Sequence, residues 1–203
     1  VSSPAAVAYN PLNNKVYVAY FSGGNCRVNT YTNGTLIDNL ALTGTGTSTV
    51  RGLALNLKGG GRVYVLTSAS GVFQINCAVG LGDTVDVPVA PVGTNPSDIA
   101  FNPIIDKVYV SNAGSNTVSI LNAGGPSLPG APGITTVATG IAPGALAINQ
   151  KNNQVYVANF GESGQLGSLP LTIIDGGNMA RTAASTEARS GQYSSIAINH
   201  NTN

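Results

Sequence analysis

One short phrase recurs through this chain at a nearly constant interval. Its asparagine falls at Asn10, Asn56, Asn102, Asn149 and Asn199 of the 203 residues, and successive copies are 46 to 50 residues apart. A fixed period of this length is the signature of a repeat architecture in which each copy is one supersecondary unit. The sequence therefore predicts one body made of four similar units and the beginning of a fifth.

The third repeat shows most clearly what one unit contains. Residues 98–102 alternate and then meet Pro103, which cannot donate to a β-ladder and so ends a strand. Three more segments rich in β-branched residues follow at 107–110, 117–121 and 134–138, and each is bounded by Asn, Gly or Pro. Four short antiparallel strands in a repeat of this length are typical of a β-propeller blade.

The other repeats follow the same plan, and no segment has sustained helical periodicity. We therefore predict an all-β fold, a β-propeller of four-stranded antiparallel blades, with four complete blades and the start of a fifth. The predicted inner strands are 7–10, 53–56, 99–102 and 146–149; the third strands are 26–31, 72–76, 117–121 and 171–175; the fourth strands are 35–41, 84–89, 134–138 and 181–185.

We predict a single β-propeller domain, or part of one, over residues 1–203. The blades span about 5–50, 51–96, 97–143 and 144–193, and residues 194–203 begin the next blade. Because an uncovered blade exposes an apolar face, we expect these blades to be part of a larger ring, with residues 195–199 packed against the fourth blade. The alternative is a closed four-bladed ring in which residues 195–199 pair beside the N-terminal strand.

The sequence motif of the repeat resembles that of a known family. The third copy reads IAFNPIIDKVYVSN from Ile99 and NTVSILN from Asn116, and this pattern resembles the YVTN family of β-propeller repeats. The resemblance covers nearly the whole chain and implies a surface-layer or secreted protein. The four-residue motif that names the family occurs once in each complete repeat, as YVAY, YVLT, YVSN and YVAN. Because the family's defining residues build blades, we predict that the tyrosine of each motif is buried between blades: Tyr17, Tyr64, Tyr109 and Tyr156.

The composition excludes several classes of function. Nine basic and eight acidic residues are spread singly, unlike the basic stripe that nucleic-acid binding requires. No apolar run is long enough to span a membrane. Charged residues make up only 8% of the chain, and Gly, Asn, Ser and Thr take their place. This balance is typical of extracellular, cell-surface or periplasmic proteins.

The chain offers few groups for chemistry, and we assign no catalytic, cofactor-binding or metal-binding residue and no cofactor. The single histidine, His200, lies in a repeat turn, where a solvated side chain is the default. Asp83 and Asp86 are close enough in sequence to hold a hard cation such as Ca²⁺. Their spacing matches no known ligand loop, so solvated turn acids are the favoured interpretation.

Cysteine and lysine positions give two further expectations. Cys26 and Cys77 could form a disulfide in an oxidising compartment, although they fall at opposite ends of third strands in adjacent blades. A long polar side chain also recurs immediately before each VYV segment, and we expect blade geometry rather than a ligand to require it: Lys15, Arg62, Lys107 and Gln154.

Two hypotheses from different classes describe the function. The first is a non-enzymatic structural, adhesion or protein-interaction module whose partner is another protein or further blades in a cell-surface assembly. The second is part of a secreted enzyme or redox-complex subunit, lactonase-like, lyase-like or quinoprotein-associated, with active-site residues outside this chain. The first is favoured because no titratable groups converge in the sequence. Further sequence with His, Glu or Arg on inner-strand loops, or with a CxxCH segment, would favour the second.

Overall fold

The computed structural model describes residues 3–58, 61–69, 71–77, 82–123, 133–161, 170–185 and 196–198. All regular elements in these ranges are β-strands. They are β1 (Pro4–Asn10), β2 (Lys15–Ser22), β3 (Asn25–Thr32), β4 (Thr35–Leu42), β5 (Val50–Asn56), β6 (Arg62–Thr67), β7 (Gly71–Asn76), β8 (Thr84–Ala90), β9 (Pro96–Asn102), β10 (Lys107–Asn112), β11 (Thr117–Asn122), β12 (Ile134–Ala138), β13 (Pro143–Asn149), β14 (Gln154–Asn159), β15 (Leu171–Asp175) and β16 (Arg181–Ser185).

The strands form four sheets, one for each repeat. Each sheet has four antiparallel strands in chain order, so that β1–β4, β5–β8, β9–β12 and β13–β16 are blades 1 to 4. The predicted all-β fold of four-stranded blades is confirmed. Each first strand begins three residues earlier than the sequence predicted, because a bulge or register shift lets the pairing continue past the predicted start.

The repeated asparagine builds the same turn in every repeat. Its side-chain Oδ1 accepts a hydrogen bond from the backbone N–H two residues on, at 2.8–3.0 Å, for Asn10, Asn56, Asn102 and Asn149. The residue that precedes the second strand has a positive φ in all four repeats, at Asn14, Gly61, Asp106 and Asn153. Asn, Asp and Gly tolerate this left-handed conformation better than other residues. The recurring residues of the motif therefore specify a β-hairpin.

One compact unit is built around Val1–Pro91 and contains blades 1 and 2. Within it β1 lies against β5, and the two sheets enclose a common apolar core. Alternation along β2 puts Tyr17 on the face that meets blade 2, while β6 turns Val63 and Val65 toward blade 1. The largest fully buried side chains of this core are Tyr17, Phe73, Leu42 and Ile75.

A second compact unit is built around Val92–Gly124 and Gly133–Asn203 and contains blades 3 and 4. Here β9 lies against β13, and Tyr109 of blade 3 packs with Leu146, Val155 and Val157 of blade 4. Both units therefore use one rule, in which the tyrosine face of one blade meets the valine face of the next.

This rule accounts for the burial of Tyr17 and Tyr109. Tyr17, Tyr64 and Tyr109 are fully buried, as predicted, whereas Tyr156 is only half-buried. The prediction is wrong in degree for Tyr156, whose face of blade 4 points away from the core that blade 4 shares with blade 3. Residues 196–198 are described without strand pairing, and the rest of the segment 194–203 lies outside the described residues, so the fifth blade stays a prediction.

Candidate functional site

Asp83 and Asp86 do not form a shared cation site. Asp83 is buried, and its Oδ1 lies 2.7 Å from the ammonium nitrogen of Lys15. Asp86 instead accepts hydrogen bonds from the side-chain amides of Gln74 at 2.6 Å and Asn76 at 2.7 Å. The expectation of a solvated acid is therefore wrong for Asp83, because an ammonium group 68 residues away in sequence pairs with it inside the protein.

Among the described residues, no three His, Cys, Asp or Glu side chains come together as they would to hold a metal ion. His200, Glu162 and Glu187 lie outside the described residues.

The recurrent position before VYV has a different partner in each repeat where one is described. Lys15 is buried against Asp83, whereas Lys107 donates to the side chain of Asn122, a residue of its own blade. The amide oxygen of Gln154 accepts hydrogen bonds from Asn152 at 2.8 Å and from the hydroxyl of Tyr156 at 2.7 Å. A long polar side chain is thus retained in the repeat while its interactions change.

The two cysteines are free thiols with separate surroundings. Cys26 is buried, its backbone N–H donates to the Thr45 hydroxyl at 2.8 Å, and its Sγ lies 3.1 Å from the carbonyl oxygen of Ser48. Cys77 is half-buried near Gly61 and Tyr17. Burial raises the pKa of both thiols, which disfavours the reactive thiolate. The two thiols are unpaired in this structure, and a thiol count in denaturant tests whether they pair in an oxidising compartment.

Asp98 joins β9 to β13 in the second unit. Its carboxylate accepts the backbone N–H of Leu146 across the two blades and that of Ile99 in its own strand, both at 2.8 Å. Burial raises the pKa of Asp98, while these two N–H donors partly oppose the rise. The nearby Ser97 hydroxyl donates to the carbonyl of Pro143 at 2.6 Å. These polar groups connect blade 3 to blade 4. The position of Asp98 holds no acidic residue in any other repeat, so repetition gave no signal for it.

The outer face of blade 1 is the side of its sheet opposite Tyr17, and it is formed by Val7, Tyr9, Val16, Val18, Tyr20 and Tyr31. Val7 is 69% exposed and Tyr9 is 53% exposed. In blade 2 the positions that correspond to Val7, Tyr9, Val16, Val18 and Tyr31 are apolar and pack against blade 1, with Val63, Val65 and Ile75 fully buried. The counterpart of Tyr20 is the buried Thr67. The same repeat positions are therefore more exposed in blade 1 than in blade 2.

A polar ladder crosses the third and fourth strands of this outer face. Asn29 accepts a hydrogen bond from the Tyr20 hydroxyl at 2.9 Å and donates to the Tyr31 hydroxyl at 3.0 Å. Asn39 donates to the Tyr20 hydroxyl at 2.8 Å and accepts from Arg27 Nε at 2.8 Å. A groove of about 300 Å³ lies beside the ladder and is lined by Pro4, Val18, Tyr20, Asn29 and Tyr31.

Comparison with known proteins bears on the fold. No protein-family model matches the sequence, and no curated protein matches it. A functionally unknown protein from Desulfotomaculum acetoxidans is 20% identical, with a TM-score of 0.64 over 85% of this chain and 51% of its own. Hydrazine synthase from Kuenenia stuttgartiensis is 14% identical, with a TM-score of 0.66 over 89% and 48%. A provisionally assigned 6-phosphogluconolactonase from Bacteroides uniformis is 16% identical, with a TM-score of 0.64 over 90% and 53%.

These neighbours are propeller-type structures, and the chain has the fold of a β-propeller built of four-stranded blades. The identities are low enough that the likeness describes the fold and not an activity. This chain spans about half the length of each of the three. Within the described ranges, no helix long and apolar enough to cross a membrane occurs.

Proposed function

We propose that this chain is a non-enzymatic β-propeller module of the cell surface or extracellular space, and that the outer face of blade 1 binds a protein partner. The observation that carries the proposal is the exposure of Val7 and Tyr9 at repeat positions that are packed in blade 2. Contiguous apolar surface with a polar margin marks interaction sites on soluble proteins. The YVTN resemblance and the low charge content support the extracellular setting.

The chemistry of the polar ladder also supports a protein partner. Tyrosine and arginine are enriched in protein interfaces, because each combines a large contact area with hydrogen-bonding groups. The hydrogen bonds among Tyr20, Asn29 and Asn39 hold the aromatic side chains in place before binding. Ordering them in advance lowers the entropy that association must overcome. The partner is a separate protein or further blades of the same propeller.

The charged side chains support a structural rather than a catalytic role. Lys15 and Asp83 pair with each other between blades 1 and 2, and Asp98 connects blades 3 and 4. Asp86 is engaged by amide side chains of its own blade. These groups are occupied by contacts that hold blades together rather than grouped around a cleft.

Site-specific photocrosslinking tests the proposal. Benzoylphenylalanine replaces Tyr9 in one variant and Leu12 in a matched control, two side chains that are 53% and 54% exposed. Leu12 lies in the first turn and outside the outer face. Both variants are produced in the cells that make the protein, and the adducts are mapped by mass spectrometry.

We expect position 9 to give a discrete adduct, with one other protein or with a further blade of the same propeller. This adduct should be lost when Val18→Asp is introduced, and position 12 should give no such adduct. Equal adduct patterns from the two positions, or no adduct from position 9, would contradict a binding role for the outer face.

The second candidate is part of a secreted enzyme or redox-complex subunit of lactonase-like, lyase-like or quinoprotein-associated type, with active-site residues outside this chain. The likeness to the provisionally assigned 6-phosphogluconolactonase favours its lactonase-like form. Hydrolysis of 6-phosphogluconolactone by the complete protein, measured against spontaneous hydrolysis, separates the two. Turnover above the uncatalysed rate would overturn the non-enzymatic proposal.

A further inference from the structure

Lys15 and Asp83 form a buried pair between the two blades of the first unit. Lys15 opens β2 of blade 1, and Asp83 immediately precedes β8 of blade 2. The distance from Nζ to Oδ1 is 2.7 Å, and the side chains are 1% and 0% exposed. The hydroxyl of Thr30 lies 3.4 Å from the second oxygen, Oδ2, of Asp83. An amine and a carboxyl group are therefore held in contact in a site that excludes solvent.

This environment is peculiar to one repeat. At the same position of blade 3, Lys107 is only partly buried and pairs with an amide of its own blade. Moving an ammonium and a carboxylate out of water costs several kcal/mol for each ion, and their mutual attraction does not always compensate. A reaction that converts the pair into a neutral group relieves that cost.

We infer that Lys15 and Asp83 condense into an intramolecular amide that joins blade 1 to blade 2 covalently. The ammonium group first passes one proton to Oδ1 along the existing hydrogen bond. The resulting amine attacks the carboxyl carbon Cγ, so that a C–N bond forms and negative charge develops on Oδ2. The C–O bond to Oδ1 then breaks, and Oδ1 leaves as water with a second proton from the nitrogen. One water is released, and no oxidant, reductant or cofactor is needed.

The surrounding groups favour each part of this step. The 2.7 Å contact between Nζ and Oδ1 holds the nitrogen beside the carboxyl group, which lowers the entropic barrier to a reaction between two side chains. Thr30 can donate its hydroxyl proton to Oδ2 as charge develops there, a contact that shortens with the increase in charge. The product amide keeps an oxygen that accepts from Thr30 and eliminates both buried charges.

Intact mass under denaturing conditions measures the reaction. The purified wild-type chain is compared with Lys15→Arg, which keeps the positive charge but cannot form this amide. Lys107→Arg is the matched control, because it changes the equivalent residue of blade 3. We expect the wild type and Lys107→Arg to weigh one water less than their sequences require, and Lys15→Arg to have its full sequence mass.

Peptide mapping decides where the water was lost and does not depend on any variant folding. After tryptic digestion, we expect a branched peptide in which the segment ending at Arg27, uncut at Lys15, is joined to residues 63–107. A wild-type chain with its full sequence mass would overturn the inference. A mass deficit that maps elsewhere, such as a succinimide at an aspartate, would overturn it equally. Neither result bears on the binding role of the outer face.

Discussion

Replacing Tyr109 with alanine tests how the blades are held together. Tyr109 is fully buried and packs with Leu146, Val155 and Val157 across two blades of one unit. A buried aromatic side chain removes about 150–250 Å² from water, which at about 25 cal/mol per Å² corresponds to about 4–6 kcal/mol. Alanine substitutions of buried aromatic residues cost about 3–5 kcal/mol. We therefore expect Tyr109→Ala to lower the free energy of unfolding by about 4 kcal/mol.

The same repeat position provides the control. Tyr156 occupies the equivalent place in blade 4 but is only half-buried, so Tyr156→Ala should cost about 1–2 kcal/mol. Urea unfolding followed by tyrosine fluorescence and circular dichroism measures both, and the chain contains no tryptophan to obscure the signal. Equal losses in the two variants, or a loss at Tyr109 within experimental error, would refute the claim that the tyrosine face of one blade is sealed by the next.

Three further predictions concern polar groups. Asp98→Ala leaves two backbone N–H donors without their acceptor, so it should lower the free energy of unfolding in urea by about 2 kcal/mol. The control Asp175→Ala removes a similar acceptor from an exposed turn and should lower it by less than about 1 kcal/mol. Burial raises the pKa of Tyr109 from 10.0 to about 12, so between these values the folded chain keeps a proton that the unfolded chain loses. The free energy of unfolding should therefore fall as the pH rises from 10 to 12. Tyr109→Phe, which has no hydroxyl to titrate, should reduce that fall. From the separate surroundings of Cys26 and Cys77 we expect two reactive thiols per chain in denaturant, and finding none would show that a disulfide forms.

Much of the fold could be predicted from the sequence because the same hairpin motif recurs in every repeat. Asn102 and its counterparts accept from the backbone two residues on, and the residue before each second strand takes a positive φ, so both positions vary little between repeats. Alternation in VYV then assigns Tyr to one face and Val to the other. Local chemistry of this kind needs no knowledge of distant residues.

Contacts between repeats could not be predicted in the same way. Lys15 looks like Lys107 in sequence, and only the folded chain brings Asp83 beside one of them. Comparing the repeats position by position would have revealed the polar ladder. Asn29 and Tyr31 occupy positions that hold Phe73 and Ile75 in blade 2, and both substitutions fall on one face of the sheet. Positions at which one repeat differs from the others therefore indicate a functional surface, whereas the residues shared by all repeats indicate only the fold.

Tyrosine labelling of the folded protein tests most directly the claim that one blade face is core while the opposite face of blade 1 is free to bind. Nitration under native conditions, mapped by mass spectrometry, reads both faces of blade 1 in a single experiment. Tyr9 is 53% exposed on the outer face and should react, whereas Tyr17, Tyr64 and Tyr109 are fully buried and should react only after unfolding. Labelling of Tyr17 or Tyr109 in the folded chain at the rate of Tyr9 would contradict the account.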